Sequence, residues 1–245
     1  MLVTGASSGL GHHCAGLLAG HGARVVLAAR RVDKLQARVH ELQGEGLSAV
    51  AVEMDVRSMA SVRAGLDAAQ EAFGIPDVVI NNAGVEAGVF TWMTLEEADW
   101  DRVMDTNLKG VWMVSKEIGT RWVAAGRGGN LVNVASILGF RQQKGVTPYA
   151  VSKAAVVQLT RQIALEGARH GIRANAIAPG YFHSAVSAAL LESDEFTQFV
   201  KAIPQRRAGE VGDYDGALLL LASEASAHMT GQTIVVDGGH LVSSL

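Results

Sequence analysis

Short runs of apolar and β-branched residues alternate along this chain with longer stretches of helical periodicity. Six such runs cover residues 24–28, 48–52, 77–80, 130–134, 173–177 and 232–236. This alternation is typical of a mostly parallel sheet with helices on both faces, whose strands are apolar throughout because both faces are buried. Since no linker or internal repeat divides the chain, we predict one doubly wound α/β domain over residues 1–245.

The composition of the chain is typical of a globular protein with its own hydrophobic core. The chain has 245 residues, 49% of them hydrophobic and only 18% charged, so it can bury a core that needs neither disulfides nor metal. Cys14 is the single cysteine, which fits a reducing cytoplasm. A net charge of -3 with scattered basic residues disfavours nucleic acid as a partner. We also expect no membrane partner and no signal peptide.

A glycine-rich segment at residues 4–11 follows a short apolar stub and precedes a helical pattern. Glycines in such a turn let backbone amides and a helix N-terminus approach a pyrophosphate. The segment also spells G-x-S-x-G around Ser7, the nucleophile turn of α/β-hydrolases, but that fold needs strands before the turn and only three residues precede Thr4. We therefore predict cofactor contacts from Gly5, Ser7, Ser8, Gly9, Leu10 and Gly11.

Helix signals place a tyrosine and a lysine together. Thr147 and Pro148 are typical of a helix start, so Tyr149 and Lys153 are four residues apart on one helix face. A nearby ammonium favours the phenolate, which predicts that Tyr149 exchanges protons near neutral pH. Ser136 follows a predicted strand at the sheet edge where such folds bind ligands, and it is expected to hydrogen-bond a substrate oxygen.

Two other local patterns lead to expectations. Thr94 and Glu97 match a capping box, which predicts a helix starting at that threonine. His12 and His13 are adjacent on a helix and point apart, with no third ligand at a suitable spacing, so we predict no metal site.

The ordered set of motifs resembles the short-chain dehydrogenase/reductase family, ketoreductase type, over essentially the whole chain. The set comprises the glycine segment, Asn82-Ala83-Gly84, Ser136, Tyr149-Ala150-Val151-Ser152-Lys153 and Pro179-Gly180. Positions 136 and 149 differ by 13, as the family requires. The resemblance implies a Rossmann-type sheet of seven strands in a single domain, assembled as a homotetramer or homodimer.

The resemblance also implies roles for individual residues. Its catalytic group corresponds to Asn107, Ser136, Tyr149 and Lys153, with Tyr149 as general acid or base. Its cofactor contacts, besides the glycine segment, correspond to Asp55, Val56, Asn82, Ala83, Gly84, Tyr149, Lys153, Pro179, Gly180, Phe182 and Ser184. The predicted substrate contacts are Ser136, Tyr149, Gln143 and Tyr181.

The residues after the second predicted strand bear on the choice of cofactor. A ribose 2′-hydroxyl calls for an acidic side chain there, whereas a 2′-phosphate calls for cations, and the chain has Arg30 and Arg31. Guanidinium groups suit phosphate oxygens, so NADP(H) is preferred. Asp33 keeps NAD(H) possible.

The resulting expectation is an NADPH-dependent carbonyl reductase or alcohol dehydrogenase acting on a small ketone or alcohol. We expect an apolar or aryl ketone in preference to a highly charged acid. The alternatives are an NAD-dependent alcohol dehydrogenase of the same fold and a regulatory protein that binds cofactor without turnover.

Overall fold

A parallel sheet of seven strands forms the centre of the protein, in a computed structural model that describes residues 1–183 and 200–243. The strand order is β3-β2-β1-β4-β5-β6-β7, and every neighbouring pair is parallel. The strands are β1 Leu2–Thr4, β2 Val25–Ala29, β3 Ala49–Glu53, β4 Val78–Asn81, β5 Gly129–Val134, β6 Ile172–Pro179 and β7 Thr233–Val236. The predicted Rossmann-type doubly wound sheet is confirmed.

Helices cover both faces of this sheet. They are α1 Gly9–Gly20, α2 Val32–Gly44, α3 Met59–Phe73, α4 Glu97–Met104, α5 Gly110–Ala124, α6 Thr147–Gly167 and α7 Asp215–Ala222. A π-helical segment, Asp105–Lys109, joins α4 to α5. The helix that carries Tyr149 and Lys153 is confirmed, with Pro148 in its first turn. It begins at Thr147 after the N-cap residue Val146, so Thr147 is not the N-cap that the sequence predicted.

The two-residue period of the strands divides the core into two layers. Val3, Leu27 and Ile80 pack with α1, α2 and α7 on one face. Their neighbours Leu2 and Val26 pack with α3 and α5 on the other face. Successive strand side chains point to opposite faces, so a strand buried on both sides must be apolar at every position. This requirement explains why the continuous apolar runs predicted the strands correctly.

The predicted capping box at Thr94 is wrong. Helix α4 begins at Glu97, and its N-cap residue Glu96 makes no side-chain cap. Residues 91–94 form a turn instead, closed by a hydrogen bond from the Thr94 amide to the Thr91 carbonyl at 3.1 Å. The Thr94 hydroxyl is held within that turn by a 3.0 Å contact with the Thr91 hydroxyl. A local side-chain turn has therefore replaced the cap.

Gly11 provides a test of how closely α1 packs against the ends of β1 and β4. A Cβ atom at Gly11 would lie 2.3 Å from Asn82 Nδ2 and 2.6 Å from the Gly5 carbonyl oxygen. Gly11→Ala should therefore lower the free energy of unfolding by roughly 1–3 kcal/mol, as overpacking does. Chemical denaturation measures the change.

Gly20 is the matched control because it lies in the same helix and a Cβ there has no neighbour within 4 Å. Gly20→Ala should leave stability unchanged or slightly higher. Equal effects of the two substitutions would contradict the packing argument.

Candidate active site

A cleft of about 940 Å³ opens at the carboxyl ends of the strands. It lies over the point where the strand order reverses between β1 and β4, which is where open α/β sheets bind their ligands. Most predicted site residues line it: Gly5, Ser7, Ser8, Gly9, Leu10, Arg30, Arg31, Asp55, Val56, Asn82, Ala83, Gly84, Ser136, Tyr149, Lys153, Pro179, Gly180, Tyr181 and Phe182. The chain thus brings the predicted catalytic and cofactor residues to one place.

Four predicted residues are not among those lining the cleft. Gly11 is buried where α1 packs, and Asn107 is fully buried behind the cleft wall. Gln143 contacts the cleft only indirectly, because its side-chain oxygen accepts a 2.5 Å hydrogen bond from the Tyr181 hydroxyl. Ser184 lies outside the described residues.

The glycine loop forms a cradle at the start of α1. Gly5 and Gly9 have φ angles of 68° and 57°, which only glycine adopts without strain. A Cβ on Gly9 would have no neighbour within 4 Å, so the loop is open on the cleft side. Arg31 Nη2 donates to the hydroxyl oxygens of Ser7 and Ser8, each at 2.9 Å. Open backbone amides, a helix N-terminus and a guanidinium group together suit a phosphate-bearing ligand.

Arg57 is a cleft residue that the sequence reasoning missed. Its guanidinium group forms a bidentate pair with Asp55, with Nη2 to Oδ2 at 2.7 Å and Nε to Oδ1 at 3.0 Å. Hydrogen bonds from Arg57 lower the pKa of the Asp55 carboxyl. With Arg30 and Arg31, Arg57 gives this end of the cleft three guanidinium groups. The available signal was its position four residues after the end of β3 and two residues after Asp55.

Ser136, Tyr149 and Lys153 converge at the other end of the cleft. Ser136 hydrogen-bonds the Tyr149 phenol and accepts the Leu138 amide proton at 3.1 Å. Lys153 Nζ lies 5.5 Å from the centre of the Tyr149 ring and donates to the Val134 carbonyl oxygen at 2.7 Å. Strand β5 and helix α6 therefore hold the three groups together from two directions.

Burial changes the proton affinities of this group in a direction that the sequence did not predict. It raises the pKa of Tyr149 to about 12 and lowers the pKa of Lys153 to about 8. The hydrogen bond from Ser136 lowers the Tyr149 pKa, but by less than burial raises it. The expected lowering of the phenol pKa by the Lys153 ammonium is not among the causes of the shift, and desolvation dominates it in the free protein.

Asn107 positions the cleft wall from behind. In the π-helical segment, its Oδ1 accepts from the Val85 amide at 2.8 Å and its Nδ2 donates to the Val85 carbonyl at 2.9 Å. Nδ2 also donates to the Ser152 hydroxyl at 3.2 Å, and that hydroxyl donates to the Tyr149 carbonyl at 2.7 Å. Asn107 thus links the loop after β4 to the first turn of α6. A π-helical turn commonly marks a functional site.

Comparison with known proteins agrees with this geometry. A family profile described as enoyl-(acyl carrier protein) reductase, from the short-chain dehydrogenases, matches residues 5–240. The chain belongs to the short-chain dehydrogenase/reductase family.

Individual relatives of this family extend the comparison. Gluconate 5-dehydrogenase of Gluconobacter oxydans is 37% identical over 99% of this chain and 94% of its own length. A 3-oxoacyl-(acyl carrier protein) reductase of Staphylococcus epidermidis is 37% identical over 97% of both chains. The crystal structure of a gluconate 5-dehydrogenase from Burkholderia cenocepacia, in complex with NADP and tartrate, superposes with a TM-score of 0.94. It is 34% identical and covers 99% of this chain and 95% of its own. This short-chain dehydrogenase/reductase is an oxidoreductase.

Among the described residues of this dehydrogenase/reductase, the end of the cleft near Ser136 and Tyr149 combines apolar walls with the carboxylate of Glu86. Val89, Ile137 and Leu138 line it together with Tyr181 and Glu86. Trp92 is 74% exposed and does not line the cleft. The sequence analysis did not identify Glu86 because an acidic residue in a loop is usually a solvated surface group.

Among the residues described, no helix has both the length and the apolar character needed to cross a membrane.

The burial of Lys153 predicts how the stability of the protein changes with pH. Its pKa of about 8 in the folded protein lies below the ordinary 10.5, so the unfolded chain binds more protons between those values. Below pH 8 the buried charge costs about 3 kcal/mol, and this cost disappears as pH rises towards 10.5.

Urea denaturation of the wild type and of Lys153→Met should show this effect. The free energy of unfolding of the wild type should rise relative to the variant between pH 8 and 10. If the difference in unfolding free energy between the two proteins stays constant from pH 8 to 10, burial does not disfavour the charged form of Lys153.

Proposed function

We propose that this oxidoreductase transfers a hydride between NADP(H) and a ketone or secondary alcohol, with Tyr149 as the general acid or base. The observation that carries the proposal is the convergence of Ser136, Tyr149 and Lys153 in a cleft that also contains the open N-terminus of α1. The same domain would then hold both the cofactor and the reacting groups.

The residues of the cleft fit a phosphorylated dinucleotide. The amides of the glycine loop would hold the diphosphate, and Arg30 and Arg31 would hold the 2′-phosphate. Asp33, which would favour NAD(H), is exposed and does not line the cleft. The related gluconate 5-dehydrogenase was crystallised with NADP, which supports the same preference here. When bound, the cofactor supplies the hydride.

Side chains of this protein would hold the substrate oxygen and transfer the proton. The Ser136 hydroxyl and the Tyr149 phenol would both hydrogen-bond the carbonyl oxygen of a ketone. The Tyr149 proton passes to that oxygen as negative charge develops there, and in alcohol oxidation the phenolate takes the proton back. Lys153, held by the Val134 carbonyl, places its amine beside the phenol and stabilises the phenolate. The presence of all three groups disfavours a regulatory protein without turnover.

Exposed apolar residues on α5 and α6 support the proposal of a homotetramer or homodimer. Leu165 is 75% exposed, Trp112 43% and Val151 42%. We infer that these side chains lie in a subunit interface, where large apolar side chains exposed on neighbouring helices would be covered.

Replacement of the phenol tests the proton-transfer step. Tyr149→Phe should lower kcat for NADPH-dependent ketone reduction by about 10²- to 10⁴-fold, because only the proton donor is lost. NADPH binding, measured by fluorescence titration, should stay within a few-fold of the wild type. A variant that reduces ketones at the wild-type rate would overturn the assignment of Tyr149.

Replacement of the arginine pair tests the cofactor preference. The double variant Arg30→Ala with Arg31→Ala should weaken NADPH binding by roughly 10- to 100-fold per lost charge-assisted contact. NADH binding should change little, because NADH has no 2′-phosphate.

Arg161→Ala combined with Arg169→Ala is the matched control, since both side chains are exposed and neither lines the cleft. This control has the same net charge as the test variant. Equal losses for NADPH and NADH in the test variant would refute the 2′-phosphate assignment.

A further inference from the structure

Glu86 is an exposed acidic residue that lines the cleft of the reacting groups. It lines the same cavity as Ser136 and Tyr149 and lies on the loop after β4. Burial is the larger cause of the raised Tyr149 pKa, and the charge of Glu86 adds to it. The same charge acts on Lys153 and Tyr181. Its electrostatic effect therefore reaches the place where a substrate carbonyl would bind.

The backbone around Glu86 is held on both sides. Arg102 Nη1 donates to the Glu86 carbonyl oxygen at 2.9 Å. The preceding residue, Val85, has both its amide and its carbonyl bound by Asn107. This anchoring fixes where the carboxylate leaves the chain, so its position in the cleft is set by the same residue that supports the first turn of α6.

The neighbouring cations are already engaged with other groups. Arg102 Nη2 pairs with Asp99 at 2.8 Å, and Lys153 Nζ donates to the Val134 carbonyl. Arg141 donates to the His240 carbonyl oxygen and does not line the cleft. Within residues 1–183 and 200–243, the Glu86 carboxylate forms no ion pair. It is available to accept hydrogen bonds from a ligand.

The other side chains at this end offer little to an anion. Val89, Ile137 and Leu138 are apolar, and the Tyr181 hydroxyl donates to Gln143. A carboxylate on the substrate would therefore meet the like charge of Glu86, whereas a hydroxyl or ammonium group would find an acceptor.

We propose that Glu86 determines substrate specificity, selecting ketones whose end remote from the carbonyl carries a hydroxyl or ammonium donor and rejecting ketones with a carboxylate there. This inference rests on the proposed ketone reduction. We therefore expect this chain to use gluconate and 5-keto-D-gluconate poorly, because both compounds are carboxylic acids; they give two of its relatives their names.

Three rigid ketones that differ in one substituent provide the test. They are 4-acetylbenzyl alcohol, 4-acetylbenzylamine and 4-acetylbenzoate, which are neutral, cationic and anionic. NADPH oxidation gives kcat/KM for each, and 5-keto-D-gluconate is added as a sugar acid. Calorimetric binding of the same ketones to Tyr149→Phe in the presence of NADPH measures selectivity without turnover.

The wild type should use or bind the amine and the alcohol roughly 10- to 100-fold better than the benzoate, the range for a hydrogen bond to a charged group. Glu86→Gln should reduce the preference for amine over benzoate at least tenfold, and Glu86→Lys should invert it. Glu45→Gln is the control, because it removes one exposed carboxylate that does not line the cleft. Its selectivity should equal that of the wild type.

Two results would overturn the inference. One is a wild type that uses or binds the benzoate as well as the amine, and the other is a selectivity that Glu86→Gln leaves unchanged. Failure of the proposed function is separate: a wild type that binds the ketones selectively but reduces none of them would refute ketone reduction and leave the role of Glu86 in place.

Discussion

The close approach of β1 to the end of β4 is the constraint on which the site depends. Asn82 Nδ2 donates to the Thr4 carbonyl at 3.0 Å, and the Thr4 hydroxyl accepts the amides of Asn82 and Ala83 at 3.0 and 3.1 Å. A Cβ on Gly5 would lie 2.8 Å from the Ala83 Cα. The two loops that form the floor of the cleft therefore meet with backbone against backbone. Glycine at residue 5 is required for this contact, whatever ligand binds above it.

A buried polar network fixes the elements that carry Ser136 and Lys153 relative to one another. Asn81 Nδ2 donates to Asn133 Oδ1 at 2.9 Å and to the Ser115 hydroxyl at 3.0 Å. Asn133 Nδ2 in turn donates to the Thr160 hydroxyl at 2.9 Å. Asn133 is three residues before Ser136, and Thr160 lies on the helix that carries Lys153. Buried hydrogen bonds of this kind are costly to break, so the network holds β5 and α6 in one relative position.

The sequence predicted the sheet and the convergence of Ser136, Tyr149 and Lys153 in one cleft because both follow from spacing. Buried parallel strands require apolar residues at every position, and residues 149 and 153 share a face on any α-helix. It did not predict the role of Gly11, which excludes a side chain from a helix contact and does not line the cleft. It also missed the Asn81–Asn133 pair, because polar residues within apolar runs carry no local sign of their partners. Burial is the main cause of the high pKa of Tyr149. The spacing between Tyr149 and Lys153 in the sequence does not reveal how deeply either residue is buried.

The two ends of the cleft differ in charge, and this difference bears on the orientation in which a ligand binds. Arg30, Arg31 and Arg57 lie at one end, where Asp55 pairs with Arg57. Glu86 lies at the other end, where the nearby cations are engaged. A phosphorylated group is attracted to the first end and repelled from the second. A dinucleotide would therefore bind in one orientation, with its phosphates at the arginine end. A substrate that shares the cleft would then be selected by the negative charge of Glu86.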